Sequence, residues 1–140
     1  MRTTTRFRQL LNEPGIIQAP GAYDCLTARL IQKAGFPAVY MTGAGTSVAQ
    51  LGYPDLALAS MTEMVQNAAS ITETLDVPLI ADADTGYGGV LNVRRTVRQY
   101  ERAGVAAIHI EDQVSPKRCG HLDDKKVIPT EDMVQKIRAA

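Results

Sequence analysis

The chain has 140 residues, 45% of them hydrophobic, enough for one ordinary domain with a core of its own. Fifteen basic and fifteen acidic side chains cancel to zero net charge, so nothing in the balance points to a nucleic acid or a membrane surface. No apolar run approaches the roughly 20 residues of a membrane helix, no secretory signal opens the chain, and two cysteines, Cys25 and Cys119, make no disulfide framework; a reducing cytoplasm is the expected compartment.

Helix-like and strand-like segments alternate. An opening helix is expected near residues 5–11. Residues 16–19 are a short apolar run ending at Pro20-Gly21 and read as the first strand. Residues 23–34 follow with helical spacing (Leu26, Leu30, Ile31, Ala34), Asp24 as N-cap and Gly35 as the residue just past the end. Residues 38–41 are the second strand, closing into Thr42-Gly43-Ala44-Gly45. Ser60 and Glu63 form a capping box that opens a helix through about Leu75. The third strand is expected at 79–83, a helix at 92–103 ending at Gly104, and the fourth strand at 106–110. Thr130 is expected to cap a last helix over 131–139, with acids in its first turn as the helix dipole prefers. Cys25 falls in a helical pattern beside Leu26 and reads as packing.

The strands are apolar on both faces, the mark of a parallel sheet covered by helices. A weak internal echo supports repetition: KAGFPAV at 33–39 resembles RAGVAAI at 102–108, each a helix end, a glycine and a strand. The fold class is therefore α/β, with four β/α units over residues 1–140. Every candidate functional residue follows a strand C-terminus, where both a β/α barrel and an open doubly wound sheet carry their sites. Periodicity does not choose between the two.

Two motifs carry chemistry. Val77-Pro78-Leu79-Ile80-Ala81 runs into Asp82-Ala83-Asp84-Thr85-Gly86, and on an extended backbone Asp82 and Asp84 point to the same side. Two carboxylates that close repel each other, and a hard divalent cation relieves both the repulsion and the cost of burial. Mg²⁺ is commonly held by one or two carboxylates together with waters and substrate oxygens. The plain alternative is a strand-to-helix turn with acids near a helix start. The second motif is Lys117-Arg118-Cys119-Gly120-His121, which follows the fourth strand and its terminal Glu111 and Asp112. Positive charge beside a thiol favours thiolate and suits it to proton exchange; the plain alternative is a solvated basic loop. His109 lies on the same side of the strand as Glu111 and is open between interior packing and a supporting contact to the site.

Together these stretches (GAYDCLTARLIQKAGFPAVYMTGAG, LGYPDLALASMTEM, DVPLIADADTGYG and IHIEDQVSPKRCGH) resemble the isocitrate lyase and phosphoenolpyruvate mutase superfamily, from about Phe7 to Ala140. KRCGHL matches the signature of its carbon–carbon lyases, and the likeness is greatest to methylisocitrate and dimethylmalate lyases; carboxyphosphonoenolpyruvate phosphonomutase also carries this motif and is similar over the whole region, so it stays open. The resemblance implies a (β/α)₈ barrel of the TIM type, bound Mg²⁺ and a homotetramer. It implies metal coordination by Asp82, with Asp84, Asp55 and Glu111 near the metal or its waters. It places Tyr40, Thr42, Gly43 and Ala44 around the substrate's carboxylate and carbonyl oxygens; many relatives have serine where Thr42 stands. Residues 117–121 correspond to a mobile gate, with Cys119 as proton donor, Lys117, Arg118 and His121 stabilising negative charge, and Gly120 near the substrate.

A barrel of this type typically needs about 250 residues, so 140 residues and four strands are expected to form its N-terminal half without closing it. The substrate clamp that the resemblance assigns to the second half is outside this sequence. The expected activity is Mg²⁺-dependent cleavage of a 2-hydroxy di- or tricarboxylate such as 2-methylisocitrate, giving a 2-oxoacid such as pyruvate and a dicarboxylate such as succinate. Phosphonomutase-type P–C chemistry and an inactive truncated family member are the alternatives, and the chain by itself is expected to be inactive. The expected partner is a small carboxylate and further copies of the chain.

Overall fold

Each strand of the computed structural model, which describes residues 1–140, pairs in parallel with the next along the chain. The strands are β1 (Gly21–Ala22), β2 (Val39–Met41), β3 (Leu79–Asp82) and β4 (Ala107–His109). Consecutive parallel neighbours need a crossover, and helices supply it. The helices are α1 (Thr3–Asn12), α2 (Cys25–Lys33), α3 (Gly43–Thr46), α4 (Met61–Glu73), α5 (Val90–Arg102) and α6 (Thr130–Ala139); α2 to α5 lie in the crossovers, while α1 precedes β1 and α6 follows β4. β1 and β4 are the two edges of this sheet, so four β/α units are present and the sheet stays open.

One face of the sheet is sealed. Val39, Met41, Leu79 and Ala81 point into a core with Ala28 of α2, Met64, Ala68 and Ile71 of α4, and Tyr100 of α5, all essentially without solvent exposure. Side chains alternate along a strand, so Tyr40, Ile80, Asp82, Ala107 and His109 share the opposite face. The register confirms the row: Tyr40 lies beside Ile80, Ile80 beside Ala107, and Asp82 beside His109. That face has no helix over it, which is where the expectation of strands covered on both sides gives way.

The caps were legible in the sequence. Asp24 accepts from the Thr27 N–H at 2.7 Å, and Ser60 and Glu63 satisfy each other's backbone N–H groups. Four elements differ from expectation. The first strand is Gly21–Ala22 and not 16–19, because its partner is fixed by Tyr40 N–H donating to Pro20 and Thr42 N–H donating to Ala22; Ile16 is 94% exposed. The glycine-rich stretch after β2 is no simple turn: α3 runs on into a π-helical turn, Ser47–Leu51, that stops at Gly52 with φ 70°. Thr130 is the first helical residue of α6 and Pro129 occupies the cap position. Asp84 is not on extended backbone. β3 ends at Asp82, and Asp84 has φ 47° because its N–H turns back to donate to Asp82 Oδ1 at 2.9 Å.

Candidate active site and metal centre

Asp82 ends β3 on the uncovered face and is buried, 6% exposed. Its oxygens are well supplied with donors. Oδ2 accepts from the Gly43 N–H at 3.1 Å, Oδ1 accepts from the Asp84 N–H at 2.9 Å, and His109 Nε2 lies 3.2 Å from Oδ1. The Gly43 contact requires glycine: a Cβ there would overlap the Asp82 carboxylate. Burial pushes Asp82 upward, but the hydrogen bonds from His109 and the Asp84 N–H, with the charges of His109 and Lys117, prevail and hold it below the usual carboxylate range.

His109 joins Asp82 to β2. The hydroxyl of Tyr40 lies 3.0 Å from His109 Nδ1, and the two rings stack with centroids 5.4 Å apart. With the proton on Nε2, the imidazole donates to Asp82 and accepts from Tyr40. The bond to Asp82 raises the His109 pKa against the opposing effect of burial. Burial, then the negative charges of Asp82, Glu111 and Asp84, push the Tyr40 hydroxyl far above its ordinary value, so it remains a donor.

Asp82, His109 and Glu111 each present a ligand atom, all within 4.8 Å of one another. These residues fit a divalent cation. Three of the roughly four lone-pair sites on the Asp82 carboxylate are engaged, leaving one toward the open face. Two carboxylates suit a hard ion such as Mg²⁺, and His109, both of whose ring nitrogens are engaged by Asp82 and Tyr40, joins them as a ligand only by giving up one of those bonds.

The other two carboxylates expected near the metal form a separate group. Lys117 is buried, 3% exposed, and its ammonium lies 2.7 Å from Asp55 Oδ1 and 2.7 Å from Asp84 Oδ1. It donates a hydrogen bond to Asp55 Oδ2 at 2.8 Å, whereas its approach to Asp84 is a charge contact off the hydrogen-bonding direction. Both partners hold Lys117 in its charged form and raise its pKa, despite burial. Burial, reinforced by Asp82 and Asp55, keeps Asp84 above the usual carboxylate range even so.

The remaining expected residues are distributed around these two groups. Thr42 accepts from the Gly45 N–H at 3.2 Å and shapes the start of α3, with Gly43 buried and Ala44 half-buried beside it. Of the loop 117–121, only Lys117 is drawn in; Arg118, Gly120 and His121 are exposed and Cys119 is half-buried. The structure thus joins Tyr40, Asp82, His109 and Glu111, and separately Lys117, Asp55 and Asp84, while the Cys119 thiol contacts neither group. Sequence reasoning passed over Gln113, a buried side chain that bonds to Glu111 and to Arg118. The available signal was position: Gln113 stands two residues beyond Glu111.

A parallel β/α sheet with carboxylates and an imidazole gathered at the C-terminal ends of β3 and β4 is the arrangement of β/α-type enzymes. The family model described as phosphoenolpyruvate phosphomutase matches residues 7–140, and the chain belongs to that family. It is 54% identical over its whole length to 2,3-dimethylmalate lyase of Eubacterium barkeri, covering 48% of that protein. It is 46% identical over 96% of its length to 2-methylisocitrate lyase of Bacillus subtilis, covering 44% of it. Among solved structures, oxaloacetate acetylhydrolase bound to 3,3-difluorooxaloacetate superposes with TM-score 0.95 at 48% identity, over 98% of this chain and 47% of the other. Phosphonopyruvate hydrolase in complex with oxalate and Mg²⁺ superposes with TM-score 0.89 at 34% identity, over 99% of this chain and 47% of the other. The chain spans about half the length of the curated relatives it matches.

Proposed function

We propose that this chain carries the metal-and-thiol half of a carbon–carbon lyase that cleaves a 2-hydroxy di- or tricarboxylate, of the 2-methylisocitrate or 2,3-dimethylmalate kind, to a 2-oxoacid and a second carboxylate. The observation that carries the reading is the Asp82–His109–Glu111 group at the strand ends. Its residues would hold Mg²⁺, which, when bound, supplies Lewis-acid polarisation of the substrate's oxygens. Asp55 and Asp84, held by the ammonium of Lys117, would line the second rank around that cation.

The chain's own residues divide the work. Thr42, Gly43 and Ala44 follow β2 and contact the substrate's carboxylate, and Tyr40, beside the same oxygens, orients His109 through its hydroxyl. As the C–C bond breaks, its electron pair goes to the departing carbon, the C–OH becomes C=O, and a carboxylate of the site takes the hydroxyl proton. The departing carbon needs a proton, and Cys119 gives it from its Sγ–H when the loop swings over the site. Arg118, Gly120 and His121 surround the negative charge, and the closed loop excludes water. The working assembly is a homo-oligomer, a tetramer, and its compartment is the cytoplasm.

Phosphonate chemistry is the second reading, favoured by the likeness to phosphonopyruvate hydrolase. Cys119 favours the lyase, because C–C cleavage needs a carbon acid and phosphorus migration does not. The test is a coupled assay of 2-oxoacid release from 2-methylisocitrate and 2,3-dimethylmalate, with Mg²⁺ and with a chelator. It is run on this chain and on a chimera that continues into the C-terminal half of the Eubacterium barkeri relative. Mg²⁺-dependent 2-oxoacid release by the chimera, lost on Cys119→Ser, is the expected result. A folded chimera that turns over only phosphonates, or neither class, overturns the lyase reading.

A further inference from the structure

The geometry points to Gln113 as a positioning residue: its side-chain amide is a latch that ties the Cys119 loop to Glu111. Its catalytic meaning rests on the lyase reading above, while its geometry does not.

Gln113 is polar, yet only 7% exposed, and an amide in such a place must find partners for both ends. It does so with two elements of the candidate site. Nε2 donates to Glu111 Oε2 at 2.6 Å and to the Arg118 carbonyl at 2.9 Å. Oε1 accepts from the Arg118 N–H at 3.2 Å. Both polar groups of a single loop residue are thereby held by one side chain, as a neighbouring strand would hold them. The residue they belong to is the one immediately before Cys119.

The anchor itself is firm. Gln113 forms a single antiparallel bridge with Val127, the Val114 N–H donates to the Lys126 carbonyl at 2.8 Å, and the Ile128 N–H donates to the Asp112 carbonyl at 2.8 Å. The segment 113–127 is therefore pinched shut at its base, and the loop bearing Cys119 projects from that pinch. Lys117, hydrogen-bonded to Asp55 and in charge contact with Asp84, is the second attachment. Beyond Arg118 the loop's own ties are local: the Leu122 N–H bonds to the Cys119 carbonyl, and Lys125 bonds to the Gly120 and Leu122 carbonyls. Cys119 and Gly120 have no backbone N–H partner. The position of the thiol thus depends on what holds Arg118, and the same amide that holds it touches the carboxylate of Glu111. Glutamine is suited to this task because a carboxylate could not donate to Glu111, and an apolar side chain could hold neither end.

Two measurements on the 140-residue chain test the latch without requiring turnover. The first uses the unaltered protein: amide hydrogen exchange of Arg118 is expected to be at least about tenfold slower than that of Cys119 and Gly120, since only Arg118 has an acceptor. Equal rates at the three amides overturn the proposal. The second compares iodoacetamide labelling of Cys119 and Cys25 in wild type and Gln113→Met, an apolar side chain of similar length. Loss of the latch is expected to speed Cys119 labelling roughly tenfold and leave Cys25, packed on α2 against the core, unchanged. Equal acceleration at both cysteines would show that Gln113 acts on overall stability, and no acceleration at Cys119 would show that it holds nothing; either result overturns the latch. Failure of the chimera assay with both latch results intact would count against the lyase reading alone.

Discussion

Gly43→Ala sets two effects of opposite sign against each other. Gly43 opens α3 with ordinary helical dihedrals, so helix propensity alone predicts that alanine stabilises the protein by about 1 kcal/mol. The new methyl, however, would overlap the Asp82 carboxylate, which cannot retreat freely because the Asp84 N–H at 2.9 Å and His109 at 3.2 Å hold it from the other side. Overpacking of a fixed group costs about 1–3 kcal/mol. Displacing Asp82 also strains or breaks its 3.1 Å bond from the Gly43 N–H, a bond to a buried carboxylate worth about 1.5–3 kcal/mol. After the propensity gain is subtracted, the net destabilisation is about 3 kcal/mol. For a domain of this size that is roughly 10 °C in Tm. Urea denaturation and thermal melting of the two proteins read it directly. A Gly43→Ala protein as stable as wild type, or more stable, would refute the account of how Asp82 is held.

Other perturbations separate the remaining roles. Cys119→Ser keeps the shape of the side chain but replaces a thiol by a far weaker acid, so turnover of the chimera should fall at least about a hundredfold with substrate binding retained; near-normal turnover would show the thiol to be a bystander. Lys117→Met strands Asp55 and Asp84 without their cation and should cost about 3 kcal/mol in urea denaturation, the usual consequence of breaking a buried ion group; a loss below about 1 kcal/mol would contradict the pairing. Asp24 tests the sign of a pH effect. Bonds from the Thr27 N–H and hydroxyl hold its carboxyl below the ordinary value, so the folded state binds that proton less readily than the unfolded one. Its contribution is present above the unfolded pKa of about 4 and is lost as pH falls through the lower folded value. Asp24→Ala should therefore cost about 1 kcal/mol at pH 7 and progressively less below about pH 4, and a gap that widens in acid would contradict the cap.

Much of this was legible because it was local. Asp24, Ser60 and Glu63 announce their helices through side-chain bonds to the next few residues, and the apolar runs at 79–83 and 106–110 fell within a residue or two of β3 and β4. What was not legible depends on partners distant in the chain. The first strand sits at Gly21–Ala22 because β2 pairs there, although 16–19 is the more apolar stretch. Asp82 and Asp84 were expected to work side by side, but a single turn at Asp84 sends one carboxylate to His109 and the other to Lys117. His109 could not be placed until its register with Asp82 was known. The family resemblance drew attention to these four carboxylates; their division into two groups came only from geometry.

The most direct test of the candidate centre is divalent-cation binding to the chain itself, followed by Mn²⁺ proton-relaxation enhancement with Mg²⁺ as competitor, in wild type, Asp82→Ala and Asp123→Ala. Asp82 belongs to the proposed ligand group, whereas Asp123 is an exposed loop carboxylate outside it. The account predicts one Mg²⁺-displaceable Mn²⁺ site in wild type and in Asp123→Ala, and none in Asp82→Ala. Undiminished binding by the Asp82→Ala protein would contradict it.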